Sequence, residues 1–502
     1  MLFTNKQKIP DIDLTLKVDG QVIEYVEHAK CLGITFDTKL TWNKHIDNKI
    51  KQAKLYLHQM KTSIARTWGP TPEKMLWIWT TVVRPAITYG SYIWATKLTK
   101  AQKDRLNKIQ RLALMQLGNF RFTTPEAGLN VALGQIPLDL FLLGTALRTH
   151  TRLQHLHIRD WNGKGPGARG KPGHILRAEK HLEEANINTP LIDSLPKTKE
   201  WEQEYTVDQD FDGLDCPEGF CLYTDGSKLN ENSGFGAVYM QNGDICNEVH
   251  GSIGQDATVF QAECYAILHG LDLITAENTG VTVFTDNQSV VHSLSSREMS
   301  NKTIAELKTD LNNKCRNQNL QIRTKWIKAH VGHPGNEYAD ELAKKGTEMR
   351  PFGPLPIIPV NKTTIYTQID KWTQSLWDTR WKNRTDSRQT AIFFPKINLR
   401  KSQNIVKLHK NTIDLVVRAI TGHDHRNRHT ALLLGTGTEK CRFCNLEPET
   451  PSHIILTCPR LTQLRTATFK TPLANSIVQS WEVSQLTTFL TVEHIAAMEQ
   501  ED

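Results

Sequence analysis

Apolar residues recur along this chain with two periods. In "TWNKHIDNKIKQAKLYLHQMKTSIA" the residues Ile46, Ile50, Ala53, Leu57 and Met60 return every three or four positions, which gathers them on one helical face with Lys44, Lys49, Lys51 and Lys54 elsewhere. "TKAQKDRLNKIQRLALMQLG" repeats the design with Leu106, Ile109, Leu112 and Ala113. Residues 1–150 thus predict a mainly helical region with basic, amphipathic helices. The period then changes. "GFCLYTDGS", "FGAVYM", "CNEVHGSI", "VTVFTDN" and "QIRTKWIKAH" are short β-rich runs, and a helical stretch, "TVFQAECYAILHGLDLITAEN", precedes the fourth. Its core stripe is Phe260, Cys264, Ile267, Leu268, Leu271 and Ile274. A mixed α/β domain over residues 216–348 follows from this order. Gly- and Pro-rich stretches, "WNGKGPGARGKPGH" and "MRPFGPLPIIPV", mark a linker within 151–215 and a linker with a helix within 349–385. Residues 386–480 return to a basic, helix-rich pattern.

Length and composition narrow the class. A chain of 502 residues exceeds one ordinary core, since domains run to roughly 100–200 residues. No uncharged apolar run approaches the roughly 18 residues needed to span a bilayer, so no membrane partner is expected. The start, "MLFTNKQKIPDIDL", is interrupted by charge and Pro10 and does not read as a signal peptide, which predicts an intracellular protein, nuclear or cytoplasmic. The net charge of +8 points weakly to a polyanionic partner such as nucleic acid. No small-molecule cofactor is expected. Of nine cysteines, Cys31, Cys216, Cys221, Cys246, Cys264 and Cys315 are scattered, while Cys441, Cys444 and Cys458 cluster, which suits free thiols and one metal site better than a disulfide framework.

Four carboxylates stand where chemistry could gather. Asp225 ends the first predicted strand in "LYTDGS", Glu263 lies early in the inserted helix, Asp286 ends the fourth strand in "VFTDNQ", and Asp340 lies in the last helix. Alone, each has a plain reading as a turn, a helix cap or a surface charge. Together, strand ends at one sheet edge and helices covering it bring them to one rim. Clustered carboxylates repel one another unless divalent cations neutralise them, so the set predicts Mg²⁺ or Mn²⁺. His330, read as ending the last strand, opens a loop containing Gly332, Pro334 and Gly335; it is expected to assist proton transfer or product release, with His333 as polar surface. Asn336 is the expected cap of the Asp340 helix and Gly346 its C-terminal stop. In "CRFCNLEPETPSHIILTC" the residues Cys441, Cys444, His453 and Cys458 predict one structural Zn²⁺, because thiolates and imidazole suit tetrahedral zinc.

With "YTDGS", "FQAECYAI", "VFTDNQ" and "WIKAHVGHPGNEYADELA" in this order, residues from about Phe220 to Gly346 resemble the ribonuclease H family. The resemblance implies a five-stranded mixed sheet flanked by helices, with Asp225, Glu263, Asp286 and Asp340 as the catalytic acids and His330 as the loop histidine. It further implies two Mg²⁺ ions per active site and hydrolysis of the RNA strand of RNA–DNA hybrids, leaving 3′-hydroxyl and 5′-phosphate ends. Cellular members carry Asn-Asn just before the helix glutamate. Val259-Phe260-Gln261 stands here instead, so Gln261 and Asn232 are the expected substitutes for hybrid contact.

The flank from about Tyr25 to Leu140 is similar to the region after the palm in reverse transcriptases of jockey- and I-type non-LTR retrotransposons. That likeness implies a thumb-like surface in which Lys49, Lys51, Lys54, Lys100, Lys103, Lys108 and Arg111 follow a nucleic-acid backbone. No Tyr/Phe-x-Asp-Asp box occurs, so palm and fingers would come from a partner. Tyr338-Ala339-Asp340-Glu341 imitates that box but belongs to a helical run. "VVRAITGHDHRNRHTALLLG" and the four zinc candidates resemble the terminal CCHC-type module of the same elements. The expected function is a metal-dependent RNA–DNA hybrid endonuclease within a retrotransposon polyprotein fragment. The alternative is a catalytically silent, nucleic-acid-binding remnant.

Overall fold

In the computed structural model of the chain, residues 16–62, 69–154, 172–187, 192–195, 202–208, 219–274, 280–299, 301–351, 358–435 and 437–498 are described. Most of the "WNGKGPGARGKPGH" stretch, residues 352–357 of the second linker, and Cys216 lie outside them. Two compact units result: residues 147–370, and residues 1–146 together with 371–502.

The unit of residues 147–370 is built on one mixed sheet. Its strands are β5 (Thr206–Asp208), β6 (Phe220–Leu229), β7 (Asn232–Gln241), β8 (Asp244–Gly254), β9 (Gly280–Thr285) and β10 (Gln321–Trp326), in the order β5-β10-β9-β6-β7-β8. β6, β7 and β8 form an antiparallel meander, whose two-residue turns are made by Asn230-Glu231 and Asn242-Gly243, all at positive φ. Such turns match the right-handed twist of the strands they join. β9, β10 and β5 add in parallel. Parallel neighbours need crossovers, supplied by the helix Val259–Leu271 before β9 and by Gln288–Ser295 and Lys302–Asn317 before β10.

Side chains alternate along β6, so Leu222 joins Ala237, Cys264, Ile267, Val283 and Leu307 on one face. Tyr223 packs with Val238, Phe284, Ala339 and Leu342 on the other, under the helix Pro334–Glu348. The sheet has six strands where five were expected. The sixth, Thr-Val-Asp at the edge, is too short to show a period and falls in the stretch read as linker. That stretch also holds the helix Gly173–Glu184, with Ile175, Ala178 and Leu182 buried. Ile192 pairs with Val360 across the flanks.

The unit of residues 1–146 and 371–502 opens with two hairpins, β1 (Leu16–Val18) with β2 (Gln21–Ile23) and β3 (His28–Cys31) with β4 (Ile34–Asp37). The helix Asn43–Thr62 buries Ile46, Ala53 and Leu57 as its spacing requires. The helix Lys100–Leu114 starts at a reciprocal cap, Thr99 with Gln102, and buries Leu106, Ile109 and Ala113. Leu112, expected in that stripe, is 41% exposed, because it lies off the face that Leu106, Ile109 and Ala113 define.

A single core joins Leu114, Leu117 and Leu129 from the first part of the chain to Trp377, Ile405, Val416, Ile454 and Phe489 from the last. The stretches read as separate regions, 1–150 and 386–480, therefore interleave. The helix Val483–Met498 extends that core past residue 480. Among the described residues no helix is long and apolar enough to cross a membrane.

Candidate functional site

The carboxylates meet where β9 stops. β6 and β9 run parallel with Thr224 opposite Thr285, so Asp225 and Asp286 are the next residues on adjacent backbones. Asp225 does not end its strand, as the sequence suggested: β6 continues to Leu229 because β7 keeps pairing with it. The rim is where β9 and β10 stop, with Trp326 opposite Thr285. Over it lies the helix Val259–Leu271, begun by a capping box between Thr258 and Gln261. Gly226 lets that helix descend, since a Cβ there would stand 2.5 Å from Glu263 N. Thr285 Oγ1 then donates to Glu263 Oε2 at 3.3 Å.

Asp225, Glu263 and Asp286 each offer an oxygen within 4.8 Å of the others. Asp225 and Glu263 are buried and Asp286 is half-buried. Burial, then the charges of Asp286 and Asp340, pushes the Asp225 carboxyl up to about 7. Burial and Asp225 raise Glu263 well above its ordinary value. Burial raises Asp286 too, against Asn336 and His330, which favour its charge. Three hard oxygen donors crowded at the cost of their own ionisation fit a divalent cation of the Mg²⁺ or Mn²⁺ type.

Asp340 stands apart from this trio. It sits on the helix Pro334–Glu348, and its Oδ2 accepts from Lys344 Nζ at 2.5 Å, one helical turn on. β10 ends at Trp326, so His330 does not close the strand; it lies in an exposed turn at φ 54°. Asn336 is not the cap. It falls in the first turn of that helix, buried, and its Nδ2 donates to Asp286 Oδ2 at 3.5 Å, while His333 takes the cap position without a side-chain bond. Gly346 is not the stop either, for the helix runs to Glu348 and a Cβ at Gly346 would meet Gly251 O at 2.6 Å. Sequence reasoning missed Trp326, whose Nε1 donates to Asp286 O at 2.9 Å, and Lys344, which its four-residue spacing from Asp340 could have flagged.

The expected nucleic-acid contacts divide. Gln261 is wholly buried, with Nε2 donating to Asp193 Oδ2 at 3.0 Å and Pro359 O at 2.7 Å, so it ties the flanks to the sheet and has no face for a hybrid. Asn232 Nδ2 donates to Thr347 O at 2.7 Å, and its Oδ1 accepts from Ser252 Oγ at 3.1 Å, which leaves little of it for a ligand. Lys49 Nζ donates to Ala86 O at 2.8 Å, and Arg111 holds the carbonyls of Phe122 and Thr124. Lys51, Lys54, Lys100, Lys103 and Lys108 are exposed.

In the other unit, Cys441, Cys444, His453 and Cys458 place their ligand atoms within 4.8 Å of one another. Cys441, His453 and Cys458 are buried. His453 turns Nε2 to Cys444 Sγ at 3.2 Å while Glu447 Oε2 lies 2.9 Å from Nδ1. A carboxylate on the far nitrogen orients an imidazole for a metal. Three thiols and one ring nitrogen, tetrahedral in number and mostly out of water, fit zinc.

The RNase H family model matches residues 217–348. A ribonuclease H of Marinobacter nauticus is 32% identical over 137 residues, spanning 25% of this chain and 91% of that protein. The RNA-directed DNA polymerase from the mobile element jockey of Drosophila melanogaster is 33% identical over 104 residues, 19% of this chain and 10% of the polymerase. Among solved structures, RNase H1 of Halobacterium salinarum aligns at 21% identity with a TM-score of 0.23, covering 26% of this chain and 97% of its own.

Proposed function

Through residues 217–348 this chain belongs to the ribonuclease H family, and on that footing we propose that it hydrolyses the RNA strand of RNA–DNA hybrids with divalent metal ions. One observation carries the reading: Asp225, Glu263 and Asp286 converge within 4.8 Å where β9 ends. A bound Mg²⁺ or Mn²⁺ pair there supplies the charge that activates water and stabilises a leaving oxygen. Asp225, Glu263 and Asp286 hold the ions, Asn336 orients the Asp286 carboxylate, and Asp340 completes the set once Lys344 releases it. His330, on its exposed turn near Asp286, serves proton transfer or product departure. Selection of the RNA strand rests on 2′-hydroxyl contacts and hybrid shape.

The partial likeness to the jockey polymerase supports a retrotransposon origin, with palm and fingers outside this chain, and the Cys441, Cys444, His453 and Cys458 set holds one structural zinc. A second reading, a silent nucleic-acid-binding remnant, draws support from the Lys344–Asp340 pair and from the internal engagement of Gln261 and Asn232. Cleavage of an end-labelled hybrid in Mg²⁺ separates the two. The hydrolase reading expects cutting that Asp286→Asn abolishes and Asp340→Asn reduces less. A wild-type chain that binds hybrid and never cuts it establishes the remnant.

A further inference from the structure

In the unit of residues 1–146 and 371–502, one loop gathers arginine and histidine side chains around an exposed aromatic ring. Residues 119–124 lie between the helices Lys100–Leu114 and Glu126–Ala132, and their turn is closed by Thr124 N donating to Arg121 O at 2.9 Å. Side chains from separate segments clamp it. Arg111 donates through Nε to Thr124 O at 2.9 Å and through Nη2 to Phe122 O, and Arg418 donates to Asn119 O. His423 Nδ1 stands 2.8 Å from Thr123 Oγ1, His429 Nε2 stands 3.4 Å from it, and Arg121 meets His425 Nδ1. The clamp fixes the backbone and leaves the Phe122 ring 77% exposed.

Nearby counter-charge is already committed. Asp414 accepts from Arg418 at 2.9 Å, and buried Asp424 is bonded by Arg426. Burial and the neighbouring guanidiniums disfavour charge on the histidines. Burial, with Arg418 and Arg121 beside it, lowers His425, and burial with His429 alongside holds His423 down at about 4. A rigid loop presenting a flat apolar ring beside the Arg121 guanidinium has the chemistry of a site for phosphates and bases.

We propose that Phe122, Arg121 and His425 form a docking surface for single-stranded nucleic acid, with an unpaired base stacked on Phe122 and a backbone phosphate beside the Arg121 guanidinium. A duplex covers its base faces and has none to offer a lone ring, so an unpaired strand is the occupant. The surface shares no residue with the carboxylate cluster, and it does not depend on the proposed hydrolysis.

The test uses the full chain with turnover silenced by Asp286→Asn, reading fluorescence anisotropy on labelled RNA and DNA single strands of about 16 nucleotides. Phe122→Ala weakens binding roughly tenfold, Phe122→Tyr restores it, and Phe122→Leu does not, because stacking needs the ring. Arg121→Gln reduces the slope of log affinity against log salt by about 1. Lys382→Gln, at the exposed end of the helix Lys362–Lys382, leaves both unchanged. Loss on both strands assigns a stacking-and-phosphate site, and loss on one narrows it to that sugar. Phe122→Ala and Arg121→Gln chains that bind as the parent does overturn the proposal. So does a parent that binds hybrid duplex and no single strand. A wild-type chain that fails to cut hybrid, with single-strand binding still lost on Phe122→Ala, would refute the hydrolase reading alone.

Discussion

Gly226 sets how closely the Glu263 helix rests on β6, since Glu263 N, Ala262 C and Ala262 Cβ all lie within 2.9 Å of where a Cβ would go. Two of the three obstacles are backbone, so Gly226→Ala has no flexible side chain to push aside. The helix must lift. Overpacking of this kind costs about 1–3 kcal/mol, and a lifted helix also withdraws Glu263 from Asp225 and Asp286. Gly226→Ala should thus lower the urea midpoint of the ribonuclease H unit and, together with it, reduce the proposed hybrid hydrolysis; unchanged values for both would show that the contact yields freely.

Asp225 and Asp286 were visible in the sequence because each follows an apolar β-rich run, and Glu263 because it sits on a stripe-bearing helix. Their partners were not. Asn336 and Trp326 reach Asp286 across 50 and 40 residues of chain, and no local period encodes a meeting at such separation. Gln261 was misread for a related reason: its burial depends on Asp193 and Pro359, which arrive from the flanks.

Among the elements, those with a long period were legible, whereas their ends were not. The helix of Asp340 was expected as a helical run, but its passage through Gly346 depends on packing against Phe235 and Gly251, which the sequence does not announce. β5 has three residues and no period at all. Helix ends also carry charge effects that oppose burial, and the short helix Glu126–Ala132 is such a case. Glu126 lies in its first turn, where the helix dipole favours a carboxylate. Burial prevails, with Asp139 and Asp104 adding to it, and pushes the carboxyl up to about 7.

The unfolded chain ionises Glu126 near its ordinary value of about 4.3. Between the two values the unfolded state releases a proton that the folded state keeps, so this group lowers stability as pH rises from about 4 to about 7, and the deficit persists above. Glu126→Gln should therefore raise the thermal midpoint of its unit at about pH 8 and leave it nearly unchanged at about pH 4. An equal gain at both would assign the effect to packing.

At the scale of the whole molecule, the chain leaves one unit at about residue 146 and returns to it at 371. The core it re-enters contains Cys441 and Cys458 beside Leu114, Leu129, Ile405 and Ile454. As the proposed zinc ligands are also core residues, a bound zinc would couple metal to folding over a long reach, because a structural site is rarely preformed without its ion. Removing zinc with a chelator, or replacing Cys458 by Ser, should then loosen more than the loop between Cys441 and Cys458. Hydrogen exchange should rise in the helix Lys100–Leu114, more than 300 residues earlier in sequence. It should stay unchanged in β6 and β9, whose core has its own apolar members. Faster exchange confined to residues 441–458 would mean that the metal organises its loop alone and that the two chain ends hold together by apolar packing.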